Sequence, residues 1–201
     1  MSISFEKVSF SYGKTPVLSE VTWHLPDSGI VCLWGVSGCG KTTALRLLAG
    51  LEKPIRGVVT GAERVSMVFQ EDRLLPWRTA LENVLLTGTD VEKACDLLSK
   101  LGLTAEDACA YPQHLSGGQQ RRVALARALA AESDILLLDE PFNGLDEGTW
   151  QDVVPLIKQA AENRPVVLVT HIREQIETLN AKVISLGDAP QTGEWKAVDF
   201  L

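Results

Sequence analysis

The sequence predicts an α/β chain: a mainly parallel sheet with a helical insertion. Three observations predict it. Short apolar runs recur at 29–34, 135–138, 166–170 and 183–186, each long enough for one buried strand. A glycine-rich loop joins the first run directly to a helical stretch. Between Glu71 and about Glu132 the pattern turns from strand-like to helical.

In chain order, Ile3, Phe5, Val8 and Phe10 alternate with polar residues, as in an edge strand. Tyr12 to Pro16 reads as a turn, and Val17 to Leu25 as a second alternating strand. Gly29–Trp34 is a buried strand and Lys41–Leu51 a helix, with further strands at Val58-Val59 and Val65–Phe69. Thr79 caps a helix through Leu86, and Asp90 one through Leu101, with Gly102 as its stop. Ser116 caps a third, Gly117–Ala131. Asp146 caps a fourth toward Ala161, with Pro155 as an expected kink.

The 201 residues suffice for one domain with a sizeable core. Nineteen basic against 26 acidic residues give a net charge of −7, which argues against a nucleic-acid partner. No apolar run nears the roughly 18–20 residues that span a bilayer. The N-terminus has neither a basic nor an apolar signal region. We therefore expect a cytoplasmic protein that reaches a membrane only through a partner. The four cysteines form no C-x-x-C pair, so neither a disulfide framework nor a zinc site is expected.

Gly35, Val36, Ser37, Gly38, Cys39, Gly40, Lys41 and Thr42 form a complete G-x-x-x-x-G-K-T phosphate loop, with Thr43 following. Its glycines let backbone N–H groups approach phosphate oxygens, and the helix that follows adds a positive dipole end. Lys41 is suited to the β- and γ-phosphates of ATP, and Thr42 to Mg²⁺. Four apolar residues, Ile135–Leu138, deliver Asp139 and Glu140. Asp139 is suited to Mg²⁺, and Glu140 to polarising water. His171 ends the run Val166–Thr170, and a parallel sheet would bring it to the same edge. Gln70, at a strand exit, is either a further Mg²⁺ or water contact or a plain polar terminus. Tyr12 either stacks on adenine or packs on the surface. Leu115, Ser116, Gly117, Gly118 and Gln119 open a helix that is either a second phosphate cradle or an ordinary capped helix, and Arg121 and Arg122 follow on it. Cys39 lies near a helix N-terminus, which favours thiolate. Either it is reactive, so that alkylation inhibits and ATP protects, or it is a small loop residue.

Together these residues resemble an ATP-binding cassette ATPase. Tyr12, the loop at 35–42, Gln70, Leu115–Gln119, Ile135–Glu140, Asp146 and His171 follow that family's order, and Leu-Ser-Gly-Gly-Gln is its signature. The resemblance implies a phosphate-loop NTPase core with an N-terminal antiparallel β portion and an inserted α-helical subdomain. One domain over 1–201 is expected, with 1–70 and 133–201 as nucleotide-binding core and 71–132 as the helical subdomain. It implies a head-to-tail homodimer that shares two ATP molecules with Mg²⁺. Each nucleotide would lie between one Lys41 loop and the other subunit's Ser116–Gln119. It further implies Glu140 as catalytic carboxylate, His171 as γ-phosphate contact, Gln70 as Mg²⁺ sensor, Tyr12 under adenine and Asp146 in cross-talk between the sites. Asn143-Gly144 departs from the serine and alanine common there.

The stretch Val68–Trp77 is similar to ATPase subunits of bacterial importers for nitrate, aliphatic sulfonates and taurine. Leu74, Leu75 and Trp77 are either lobe core or a surface that receives a helix of a membrane permease. An extracytoplasmic substrate-binding protein is a further expected partner, and the cytoplasmic face of the inner membrane the expected location. The short stretch after Leu186 predicts no added regulatory domain. Two other readings stand beside the importer: a soluble cassette ATPase acting on nucleic acid or ribosomes, and the ATPase of an exporter or lipid-release complex.

Overall fold

The computed structural model describes residues 3–199. Two sheets carry the chain. The larger has the order β5-β6-β7-β3-β8, formed by Val65–Val68, Ile135–Asp139, Pro165–Val169, Gly29–Gly35 and Lys182–Leu186. Every pairing in it is parallel. The β6 and β7 strands are buried along their whole length, so they read as unbroken apolar runs rather than alternating ones.

Period-two geometry sends the strand residues into two separate cores. Leu136, Leu138, Val166, Leu168 and Cys32 face one; Ile135, Leu137, Val167, Val169 and Leu33 face the other. Leu136, Leu137 and Leu138 are each 0 % exposed, so each side chain contributes about 1.5–3 kcal/mol by burial. The first core is covered by helices α2 (Ala80–Leu85), α3 (Val91–Lys100), α5 (Gly117–Ala130), α6 (Glu147–Ala161) and α7 (Arg173–Leu179). The second lies under α1 (Lys41–Leu48) and the smaller sheet.

That smaller sheet has the order β4-β1-β2-β9, from Arg56–Thr60, Ser4–Tyr12, Thr15–His24 and Gln191–Trp195. The expected edge strand is an interior one. β1 is flanked by β2 and by β4, with Phe5 opposite both Trp23 and Val59. Alternation marks which residues face the core, but not which strands lie alongside. Where the β1–β4 register shifts, the two paired strands approach closely: a Cβ on Gly57 would sit 2.3 Å from the Lys7 carbonyl, and its φ is +81°. Only glycine fits there. Phe5, Trp23 and Trp195 join β1, β2 and β9 in one aromatic cluster.

The expected caps at Thr79, Asp90, Ser116 and Asp146 all form. Thr79 and Ser116 make reciprocal capping boxes with Glu82 and Gln119. A further helix, α4 (Ala105–Cys109), has its own box from Thr104 and Asp107. α4, α7 and β9 were not anticipated. α6 runs on through Pro155. The carbonyl of Gln151 that loses a partner there belongs to a solvent-exposed residue.

Candidate functional site

Parallel pairing puts the C-terminal ends of β5, β6, β7 and β3 along one edge. Asp139 ends β6 there, and the phosphate loop, Gln70, Glu140 and His171 lie just past those ends, whereas Tyr12, Leu115–Gln119 and Asp146 sit on other segments. β3 turns through Gly38 (φ +80°) and Gly40 (φ +109°) into α1. Val36, Ser37 and Gly38 form the exposed crest of the loop. No acidic residue stands in the first turn of α1, so its N–H groups remain free for an anion.

Lys41 is 6 % exposed. Its Nζ donates to the Gly35 and Val36 carbonyls, each at 2.8 Å. Two carbonyl dipoles and the Cys39 sulfur at 3.8 Å hold the charge across the loop with no carboxylate paired to it, leaving it available to phosphate. Tyr12 ends β1 at 44 % exposure, edge-on to Phe10 and 3.4 Å from Arg46 Nη1 of α1. Its ring thus stands beside the phosphate-loop helix.

Asp139 closes β6 at 4 % exposure. Burial pushes its carboxyl above the ordinary range, against a hydrogen bond from Thr42. The charge of Glu140 adds to the rise, and Arg121 and Arg46 offset part of it. Thr42 and Asp139 therefore meet as expected. Glu140 adopts φ +50°, the left-handed region that a non-glycine residue rarely takes. Its backbone is held on both sides: the N–H donates to the Val169 carbonyl at 2.9 Å, and the carbonyl accepts from Asn143 at 3.1 Å. This turn aims its carboxylate at His171, whose Nε2 is 3.2 Å from Oε1. Behind His171, the buried Thr170 hydroxyl binds Gln175 and accepts from the Ile172 N–H at 3.2 Å.

Gln70 leaves β5 on the same edge, but its side chain is exposed and no described residue hydrogen-bonds it. Ser116 and Gln119 spend their side chains on capping α5, and Gln119 also donates to Asp107 at 2.8 Å. Leu115 is buried beneath them, whereas Ser116 and Gly117 are exposed. Asp146 caps α6 through the Thr149 N–H at 2.9 Å and hydroxyl at 2.8 Å. The Thr149 backbone bond, above all, pulls its carboxyl below the usual range.

Of the two readings of Cys39, its burial favours the small loop residue. Cys39 is 1 % exposed, its Sγ turned inward against Gly35 and 3.8 Å from Lys41 Nζ. An alkylating reagent has no path to it in the folded chain. Burial also pushes the Cys32 thiol up to about 12, while Cys95 and Cys109 are exposed. The turns at Gly38 and Gly40 set the direction of Cys39, which residue spacing does not reveal.

Sequence reasoning also missed the part played by arginines of α5. Arg121, read as a companion of the Ser116 segment, is 2 % exposed and points into the core. Arg122 donates instead to the Leu101 and Gly102 carbonyls, closing the end of α3. Arg127 holds the carbonyls of Arg73 and Asp72, each at 3.0 Å.

Comparison with known proteins agrees with this geometry. Residues 18–143 match the family described as ABC transporter. The aliphatic sulfonates import ATP-binding protein SsuB 1 of Rhodococcus jostii is 43 % identical over 190 residues, spanning 90 % of this chain and 77 % of that one. SsuB 3 of Paraburkholderia xenovorans is 42 % identical over 189 residues, with 92 % and 76 % covered. Among solved structures, the dimeric MJ0796, a bacterial ABC transporter cassette, superposes with a TM-score of 0.82 at 29 % identity, covering 99 % of this chain and 100 % of that one. A post-hydrolysis state of MJ0796 bound to ADP and Pi gives 0.82 at 28 %, covering 98 % of each. The chain belongs to the ABC transporter family, as one of its ATP-binding cassettes.

Proposed function

We propose that this chain is the ATP-hydrolysing subunit of a bacterial importer, working as a pair beneath a membrane permease. The observation that carries the reading is the sheet edge where Thr42 meets Asp139, Glu140 meets His171, and Lys41 closes the loop. The loop amides and Lys41 bind the phosphates, and Tyr12 stacks on the base. Glu140 takes the proton of the attacking water, and His171 orients the γ-phosphate against it. Lys41 offsets the charge that develops on the transferred group.

The residues present fit Mg²⁺. Asp139 is a buried carboxylate raised first by desolvation, which a bound cation would offset, and the Thr42 hydroxyl lies beside it. No three His, Cys, Asp or Glu cluster for a metal among the described residues. The ion therefore belongs with the phosphates rather than in a protein cage. Thr42 and Asp139 would hold it, with Gln70 joining once the segment after β5 moves. When bound, it supplies positive charge to the phosphate oxygens.

The N–H groups at the exposed Gly117 and half-buried Gly118 are offered to the nucleotide of a second copy, with Leu115, Ser116 and Gln119 shaping that turn and Asp146 linking the two sites. The dimeric state of MJ0796 supports this pairing. Trp77 stands 67 % exposed beside the partly buried Leu74 and Leu75, a surface suited to a permease helix. No described helix is long and apolar enough to cross a membrane. A permease would therefore hold the chain at the cytoplasmic face, with an extracytoplasmic binding protein delivering substrate. The relatives named for sulfonate import make aliphatic sulfonates the first substrates to test.

Glu140→Gln tests the assignment. It should keep ATP affinity within about two-fold and lower turnover by at least about 100-fold, within the range for loss of a general base. Turnover at the wild-type rate would remove Glu140 from its role.

A further inference from the structure

Arg121 sits one turn beyond the Ser116 segment, inside the molecule. Its Nε donates to the Pro141 carbonyl at 3.1 Å. Nη2 donates to the carbonyls of Asp139 at 3.0 Å and Glu140 at 2.5 Å. Nη1 donates to those of Phe69 at 2.6 Å and Gln70 at 3.5 Å, and to Asp72 Oδ1 at 3.0 Å. One buried guanidinium thus ties three pieces of backbone together: α5, the segment after β5, and the turn that carries Glu140.

That turn needs holding. Glu140 is in the left-handed region, a strained conformation that persists only where surroundings over-determine it. The Val169 and Asn143 bonds fix it from the sheet and loop sides. Arg121 fixes it from the helix whose first turn holds Ser116 to Gly118.

We propose that Arg121 is a positioning residue for hydrolysis: it couples the seating of α5 to the aim of the Glu140 carboxylate and to the Gln70 segment. Building on the role given to Glu140 above, the coupling makes turnover depend on how α5 sits. Arg127 supplies the contrast. It grips the same segment at Asp72 and Arg73 but has no bond to Asp139, Glu140 or Pro141.

The test measures turnover and ATP affinity of the full chain carrying Arg121→Gln, Arg121→Lys, Arg127→Gln or Glu140→Gln. Arg121→Gln should lower kcat by about 30–100-fold, the loss expected for misplacing a reacting group by about 1 Å, with ATP affinity within about two-fold. Arg121→Lys keeps the charge but at most three donors for six acceptors, so its kcat should fall between. Arg127→Gln should lower thermal stability while leaving kcat within about two-fold. Adding Arg121→Gln to Glu140→Gln should lower turnover little further, because both act on one group.

Equal kcat losses in the Arg121 and Arg127 variants, or parallel loss of ATP affinity, would make Arg121 only a structural tie and overturn the proposal. Should Arg121→Gln not fold, Arg121→Lys decides: full kcat overturns, and reduced kcat at unchanged affinity supports. Wild-type turnover in Glu140→Gln would instead defeat the role given to Glu140, a separate result from any Arg121 outcome.

Discussion

The two segments proposed to bind phosphate are built in opposite ways. The Lys41 loop is set into the sheet edge: Lys41 is buried, and Asp139, Glu140 and His171 lie on neighbouring strand ends. The Ser116 segment opens outward, its side chains occupied by its own cap, with Ser116 and Gly117 exposed and the rest of the first turn half-buried. One half is complete within the chain, and the other presents backbone donors to whatever approaches. A parallel sheet can assemble a site from strands distant in sequence because their C-terminal ends converge. A helix start has only its own four free N–H groups to offer, so it must meet its ligand from outside.

The largest test of that contrast places a bulky cation at the outward half. Ser116→Arg should leave ATP binding within about two-fold and cut turnover by at least about 100-fold, as when a transition-state donor is lost. Equilibrium nucleotide binding and steady-state turnover measure the two numbers. Equal loss of both would mean that Ser116 belongs to the Lys41 site.

Acid should separate the regions next. In the helical lobe, Glu82 and Asp107 are pulled below the ordinary carboxylate range, first by the backbone N–H groups of Thr79 and Thr104. A depressed folded value gives stability that is full above about pH 4 and lost as pH falls through it. Asp139 has the opposite sign. Burial raises it, so protonation relieves the sheet edge as pH falls through that raised value. Asp134, at the foot of β6, is depressed likewise, so the contrast is with the far end of that strand: hydrogen exchange between pH 6 and 3 should show α2 and α4 loosening before its Asp139 end. Simultaneous loosening would contradict the assignment of these caps.

Thiol labelling is the smallest effect. In the folded chain Cys95 and Cys109 should react, and Cys32 and Cys39 only on unfolding. Labelling of Cys39 in the native protein would restore it as a reactive loop residue.

Much of the sheet edge was legible because its signals are local. The glycine loop sits between an apolar run and a helix, and each carboxylate follows four buried residues. Side-chain caps were legible for the same reason. α4, α7 and β9 are five, seven and five residues long, too short to show a period. The place of β1 between two strands depends on a partner 50 residues away, which alternation cannot name. The burial of Arg121 was not legible because a charge on a helix ordinarily faces water. Its acceptors are mostly backbone carbonyls, which carry no residue type.

The central claim is that this cassette completes its nucleotide site with a second copy. Light scattering on Glu140→Gln, eluted with and without ATP in the absence of Mg²⁺, tests it directly. A monomer that becomes a dimer only with ATP, and fails to do so once Ser116→Arg is added, is the predicted result. A variant that binds ATP and stays monomeric, or pairs equally well with Ser116→Arg, would contradict it.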